Sequence, residues 1–323
     1  MIQRAPHGEA ATLRRFAALL GALLSLTTSC GDDAGSGTGA AAGAGAAGAG
    51  AAGAGAAGGE GPTTGGAGGA SGGAGGAGGA GGLGGGLPGG PSSERLTARP
   101  LGTVPGAGQG FWEYLPPGYG SGADFPLLMF FHGLGENGDG SEGALASVLV
   151  TGLPALLAND QWPETQPFII LSTQHPGGGC HTEAEIASFL AFAAANYDVD
   201  PQRIYLTGLS CGAIGAWSYL GVHTDEVVAG AVLIAGVGTG AFAQAGCALG
   251  AVPIWAFHGD ADDVVSPSGS VDAIASLQAC TDPPAVDAKI TLDPGVGHNS
   301  WDMTYDPAGM NDIYTWLLSH EKP

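Results

Sequence analysis

Positive charge is scarce in this 323-residue chain. Lys and Arg together number 8 against 29 Asp and Glu, a formal net charge of −21 at pH 7. Nucleic-acid binding needs a basic face that neutralises phosphates, so that class is excluded. A strongly anionic polymer is a poor substrate for the same reason. The shortage persists within 94–323, where Arg95, Arg99, Arg203, Lys289 and Lys322 stand against 25 acidic residues. Acidity of this size keeps an exported protein soluble. Beyond the first thirty residues no segment approaches the ~20 continuous apolar residues of a spanning helix. None of the Cys has zinc-type spacing, so a metal cluster is not expected. There is no sustained Gly-X-Y frame with Pro, which excludes collagen. There is also no aliphatic seam flanked by charge, which excludes a coiled coil.

Glycine, by contrast, is abundant. The chain has 63 Gly, roughly forty above an average usage of ~7%. Residues 31–93 hold 30 Gly and 18 Ala. Such a tract has almost no side-chain area to bury and cannot fold alone. The reading is therefore an export segment over 1–30, a disordered Gly/Ala linker over 31–93, and one domain over 94–323, large enough for a full core. In the export segment Arg4, Arg14 and Arg15 precede a short apolar run over 16–26 and then Thr27-Thr28-Ser29-Cys30, the layout of a secretory signal. The end of this segment resembles a bacterial lipoprotein box. The resemblance implies a lipid anchor on Cys30 and attachment to a cell-envelope membrane. As a Gly-rich coil, the linker would then span about 45 Å and hold the domain clear of the lipid.

Within the domain, apolar runs alternate with helix-length segments. Strands are expected over 111–115, 127–131, 168–171, 204–207, 228–234, 254–257 and 290–292, and helices over 143–158, 182–197, 211–222, 267–279 and 309–319. Asp200-Pro201 marks a turn before the fourth strand. The later strands are continuous apolar runs, as strands buried on both faces are. The alternation predicts an α/β fold with a mostly parallel sheet and helices on both faces. Ligands in such sheets collect at the carboxyl ends of the strands.

The chemically loaded residues fall at those ends. After 204–207 comes Gly208-Leu209-Ser210-Cys211-Gly212, a G-x-S-x-G between strand and helix, the context of a nucleophile elbow. After 254–257 come Asp260, Asp262 and Asp263. After 290–292 comes His298. Ser, then Asp, then His is the α/β-hydrolase order. After 127–131 comes His132-Gly133-Leu134-Gly135-Glu136-Asn137-Gly138. In a hydrolase this loop supplies one backbone N–H to the oxyanion hole, and the residue after the nucleophile supplies the other. Leu134 and Cys211 are the candidates. The loop lacks the Lys and Ser/Thr of a phosphate-binding P-loop.

The stretches FPLLMFFHGLGENG (125–138), YDVDPQRIYLTGLSCG (197–212), PIWAFHGDADDVV (253–265) and GVGHNSW (295–301) resemble secreted bacterial α/β-hydrolases of the carboxylesterase group. That group includes poly(3-hydroxybutyrate) depolymerase-like, feruloyl esterase-like and predicted peptidase-like members. The resemblance implies an ester hydrolase without a cofactor. Its pattern H-G-x-x-D-x-x-V makes Asp262 the triad acid, with Asp263 second. Ser210 is then the nucleophile and His298 the base. The connection 235–252 is short and Gly-rich, so no large lid is expected, and an open cleft admits bulky or polymeric esters. Trp301 is a candidate pocket wall, whereas Trp112, Trp217 and Trp255 are expected in the core.

The four domain cysteines are even in number and suit an oxidising compartment, which allows three pairings. Cys247 and Cys280 flank the Asp262 strand unit and form the expected outer pair. Cys180 with Cys211 forms an inner pair that braces the active-site loops. The competing functions are a serine peptidase of the prolyl-oligopeptidase type and a non-catalytic, surface-displayed hydrolase-fold module.

Overall fold

The computed structural model describes residues 90–224 and 227–322. The export segment, Cys30 and residues 31–89 lie outside them. The strands are β1 (Leu96–Arg99), β2 (Phe111–Tyr114), β3 (Phe125–Phe131), β4 (Ile169–Thr173), β5 (Val199–Leu209), β6 (Gly230–Ile234), β7 (Ile254–Gly259) and β8 (Ala288–Asp293). They form one sheet in the order β1-β2-β4-β3-β5-β6-β7-β8. The β1–β2 and β2–β4 pairs are antiparallel. From β4 to β8 every pairing is parallel.

Side chains alternate across a strand, and here both faces of the sheet are covered. Leu127, Met129 and Phe131 of β3 and Ile204 and Leu206 of β5 enter one core. Leu128 and Phe130 of β3 and Tyr205 and Leu209 of β5 enter the other. The first core is closed by helices α3 (Glu183–Asn196), α4 (Cys211–Val222), α5 (Thr239–Ala245) and α6 (Ser268–Gln278). The second is closed by α2 (Gly152–Ala158), α7 (Trp301–Tyr305) and α8 (Ile313–Leu318). A one-turn helix, α1 (Glu142–Leu145), precedes α2 and is capped by the Ser141 side chain. Helix α3 starts with a full capping box, Thr182 and Glu185 each accepting from the other's backbone N–H.

The seven expected strands are all present, and several expectations need correction. The 143–158 segment is not one helix. It runs through α1, a 3-10 stretch over Ala146–Val150, and α2. The break is at Gly152, with φ +63, where an added Cβ would lie 2.8 Å from Leu209 Cδ2. Only glycine brings the chain that close to the strand beneath. Asp200-Pro201 is not a turn but an irregularity inside β5, where the register to β3 shifts between Phe125 and Leu127. That shift also accommodates Pro126, since a proline in a central strand needs a bulge. The short connection 235–252 is filled by α5 and a 3-10 stretch over Gly246–Ala251. Trp217 is fully buried as expected, but Trp112 and Trp255 are only half-buried. The folded chain also reaches back beyond 94, with Ser92 buried and its Oγ donating to Leu157 O at 2.7 Å.

Candidate active site

Four loops at the carboxyl ends of β3, β5, β7 and β8 build the site. Ser210 joins β5 to α4 with φ 52 and ψ −118, a left-handed backbone that a serine adopts only under tertiary constraint. Its N–H donates to Ile234 O at 2.8 Å, at the end of β6. Strain at this residue lifts the hydroxyl out of the sheet and aims it at the loop after β8.

His298 lies on that loop. Its Nε2 is 2.9 Å from Ser210 Oγ, and its Nδ1 is 2.7 Å from Asp262 Oδ2. A carboxylate only accepts, so Nδ1 carries the ring proton and Nε2 is left to accept from the serine. Asp262 follows β7, and its side chain is closed off from solvent. Oδ1 accepts from the N–H groups of Val264 and Val265, both at 2.9 Å. Burial opposes the charge on Asp262. The hydrogen bond from His298 and the N–H groups of Val265 and Val264 outweigh it and hold the carboxyl below its ordinary pKa. The other two acids of this loop stay apart from the imidazole. Asp260 accepts from Gly295 N–H at 2.6 Å, and Asp263 is exposed.

The loop after β3 abuts the serine: a Cβ on Gly133 would lie 3.7 Å from Ser210 Cβ. Leu134 begins the 3-10 turn Leu134–Glu136 and is 58% exposed. Cys211 begins α4. The first N–H groups of a helix have no partner within it, which makes these two backbone donors available to an anion. Cys211 is also bonded to Cys180, and Cys247 to Cys280, the inner and outer pairs expected. The inner disulfide ties the loop after β4 to the first residue of α4.

Two residues that hold this loop were not singled out from sequence. Burial pushes the pKa of His132 down to about 4, so the ring is neutral. Its Nδ1 donates to Gly133 O at 2.6 Å, and its Nε2 accepts from His175 N–H at 2.9 Å. Gln174 is buried beneath the next turn. Its Nε2 donates to Glu136 O at 3.0 Å and Ala144 O at 2.8 Å, and its Oε1 accepts from Gly140 N–H at 3.0 Å. No local pattern marks Gln174, because its partners are some thirty residues away along the chain.

Trp301 opens α7 three residues after His298. Its ring meets the imidazole edge-on at 5.1 Å, and its Nε1 donates to Thr151 Oγ1 at 2.8 Å. Below it the Tyr305 hydroxyl lies 2.8 Å from Thr207 Oγ1, itself a donor to Val232 O, which anchors the histidine loop's helix to β5. Beside Trp301 a cavity of about 530 Å³ is lined by Val150, Thr151, Gln161, Asn299, Asp302 and Tyr305 among others.

No protein-family model matches the chain, and no curated protein matches it. Solved structures do. A thermostable esterase is similar over 71% of this chain and 64% of its own, at 21% identity and a TM-score of 0.54. The match therefore spans under two thirds of that esterase. A feruloyl esterase module from Clostridium thermocellum, complexed with sinapinate, is similar over 72% of this chain and 89% of its own, at 17% identity and a TM-score of 0.51. At these identities the likeness is one of fold, and the fold is that of the α/β-hydrolases.

Proposed function

We propose that this α/β-hydrolase-fold protein is a serine carboxylic-ester hydrolase. Ser210 is its nucleophile, His298 its base and Asp262 its acid. The observation that carries this is the unbroken hydrogen-bonded line from Ser210 Oγ through both nitrogens of His298 to Asp262 Oδ2. In the reaction, Nε2 of His298 takes the serine proton as Oγ attacks the ester carbonyl. The oxyanion is held by the N–H groups of Leu134 and Cys211, and losing one such donor typically costs about 10²–10³-fold in rate. Asp262 stabilises the imidazolium and fixes its orientation. The proton passes to the leaving alcohol, and water then repeats the cycle on the acyl-enzyme. This chemistry calls on no cofactor.

The substrate classes we propose are small acyl, feruloyl and polyester esters. One neighbour of the same fold is a feruloyl esterase complexed with sinapinate, which puts aromatic-acid esters first in a screen. We also propose export, with the domain tethered through residues 31–89 to a lipid on Cys30. Two disulfides fit an oxidising compartment, and among the described residues no helix is long and apolar enough to cross a membrane.

Turnover of p-nitrophenyl and feruloyl esters against peptide anilides tests the activity. The wild type hydrolyses the esters and leaves the anilides, and Ser210→Ala loses ester turnover by about 10⁴-fold or more. Equal turnover by wild type and Ser210→Ala would end the assignment, whereas preferential anilide cleavage would make the protein a peptidase.

A further inference from the structure

Among the buried imidazoles that the mechanism leaves unused, one touches the triad aspartate. His258 is the penultimate residue of β7, four residues before Asp262, and is fully buried. Its Nε2 lies 3.1 Å from Asp262 Oδ2, the same oxygen that holds His298, and 3.0 Å from Val265 O. Both neighbours are acceptors, so Nε2 carries a proton. Its Nδ1 lies 2.9 Å from Ser270 Oγ on α6, and that oxygen lies 3.0 Å from Gly236 O. Ser270 has one proton and two acceptors within reach. Given to Nδ1, it leaves His258 neutral. Given to Gly236 O, it requires His258 to be an imidazolium. Nε2 donates toward Asp262 in either state.

Asp262 therefore receives four donors: Val264 and Val265 N–H on Oδ1, and His298 and His258 on Oδ2. A carboxylate has about four lone-pair sites, so it is saturated and cannot turn. We propose that His258 is a positioning residue, a second imidazole donor on the triad aspartate that locks its carboxylate and weakens the hold of Oδ2 on protonated His298. This rests on the Ser210–His298–Asp262 assignment above.

The consequence has a definite sign. Charge density on Oδ2 is shared between two N–H groups. With His258 gone, all of it falls on His298, whose protonated form gains. The ring then stays protonated, and useless as a base, to a higher pH. The groups facing His298 are Asp262, Ser210 Oγ and the Trp301 ring. Those facing His258 are Asp262, Val265 O and Ser270. The remaining carboxylates of these loops are engaged elsewhere or exposed: Asp260 on Gly295 N–H, Asp293 facing Asp260, and Asp263 toward solvent.

The test is the pH profile of kcat/KM for p-nitrophenyl butyrate, whose acid limb reports the free enzyme's base. In His258→Leu the acid limb moves up by about one pH unit, and in His258→Gln, whose amide can still donate to Oδ2, it returns toward the wild type. Ser270→Ala moves it the same way by less, because the Nε2–H becomes a weaker donor if His258 is neutral and loses its charge if it is not. A folded His258→Leu enzyme with the wild-type acid limb overturns the proposal, whatever happens to kcat. Should His258→Leu not fold, an unmoved limb in Ser270→Ala overturns it instead. Undiminished turnover in Ser210→Ala is a different failure, that of the triad assignment itself.

Discussion

At the scale of single residues, three acids follow β7 and only one has the surroundings of a triad acid. Asp262 takes two backbone N–H groups on one oxygen and His298 on the other. Asp260 takes Gly295 N–H, which braces the turn after β8 but touches no imidazole. Asp262→Asn presents an amide where a carboxylate is needed, turns His298 to the wrong tautomer, and drops kcat by about 10⁴-fold. Asp260→Asn leaves kcat near the wild type. Steady-state kinetics on one activated ester separates them, and the reverse ranking would transfer the acid's role to Asp260.

At the scale of elements, the loop after β3, proposed above to supply an oxyanion donor, is held from behind. His132 pins Gly133 O, and Gln174 gathers Glu136, Gly140 and Ala144 from one buried side chain. Neither side chain needs to reach the substrate. Gln174→Ala leaves those backbone groups unpaired and lets the loop drift. A displacement of about 1 Å costs on the order of 10²-fold, so kcat falls to that extent while KM changes little. A variant with raised KM and unchanged kcat would mean that the loop binds substrate rather than oxyanion.

The legibility of each element follows from how local its cause is. Strands β3 to β7 lie in the sheet interior and read as apolar runs. Edge strand β1, with Thr97 and Arg99 turned partly outward, carries no such run and was missed. Helices α5 and α7 are too short for a clear period. Ser210 and His298 fall in the loops after strands, where residue type and order single them out, whereas three acids follow β7 and only the resemblance to the carboxylesterase group points to Asp262 among them. Gln174 and His258 act through partners brought by other loops, and no spacing in the chain announces them.

At the scale of the whole molecule, buried histidines make the fold sensitive to acid. His132 has a folded pKa of about 4 against an ordinary 6.5, with burial as the main cause. Burial, with neighbouring His132 and His175, drives His181 down as well. Below the ordinary value the unfolded chain takes up protons that the folded state refuses. Stability is therefore full above pH 6.5 and is lost as pH falls toward the folded values. Asp262 adds a loss at still lower pH, since its depressed carboxyl stabilises the fold only while ionised. His132 alone accounts for about 2 kcal/mol between pH 7 and pH 5. Urea unfolding at those two pH values measures it, and a flat stability over that interval would mean that the ring is charged or exposed in the folded protein.

Composition and pattern settle the features whose causes lie within a few residues. Scarce basic charge argues against nucleic acid as a partner, and a side-chain-poor tract leads to the expectation of one folded domain after it. Apolar runs bounded by turns name the interior strands, and a glycine-flanked serine between strand and helix marks the candidate nucleophile. Three-dimensional closure settles the features that depend on which loop meets which. It brings His298 between Ser210 and Asp262, lays His258 against the same carboxylate, and stitches the loop after β3 through Gln174. Hydrogen bonds act within about 3 Å, and their partners here lie tens of residues apart, so only the folded sheet makes them neighbours.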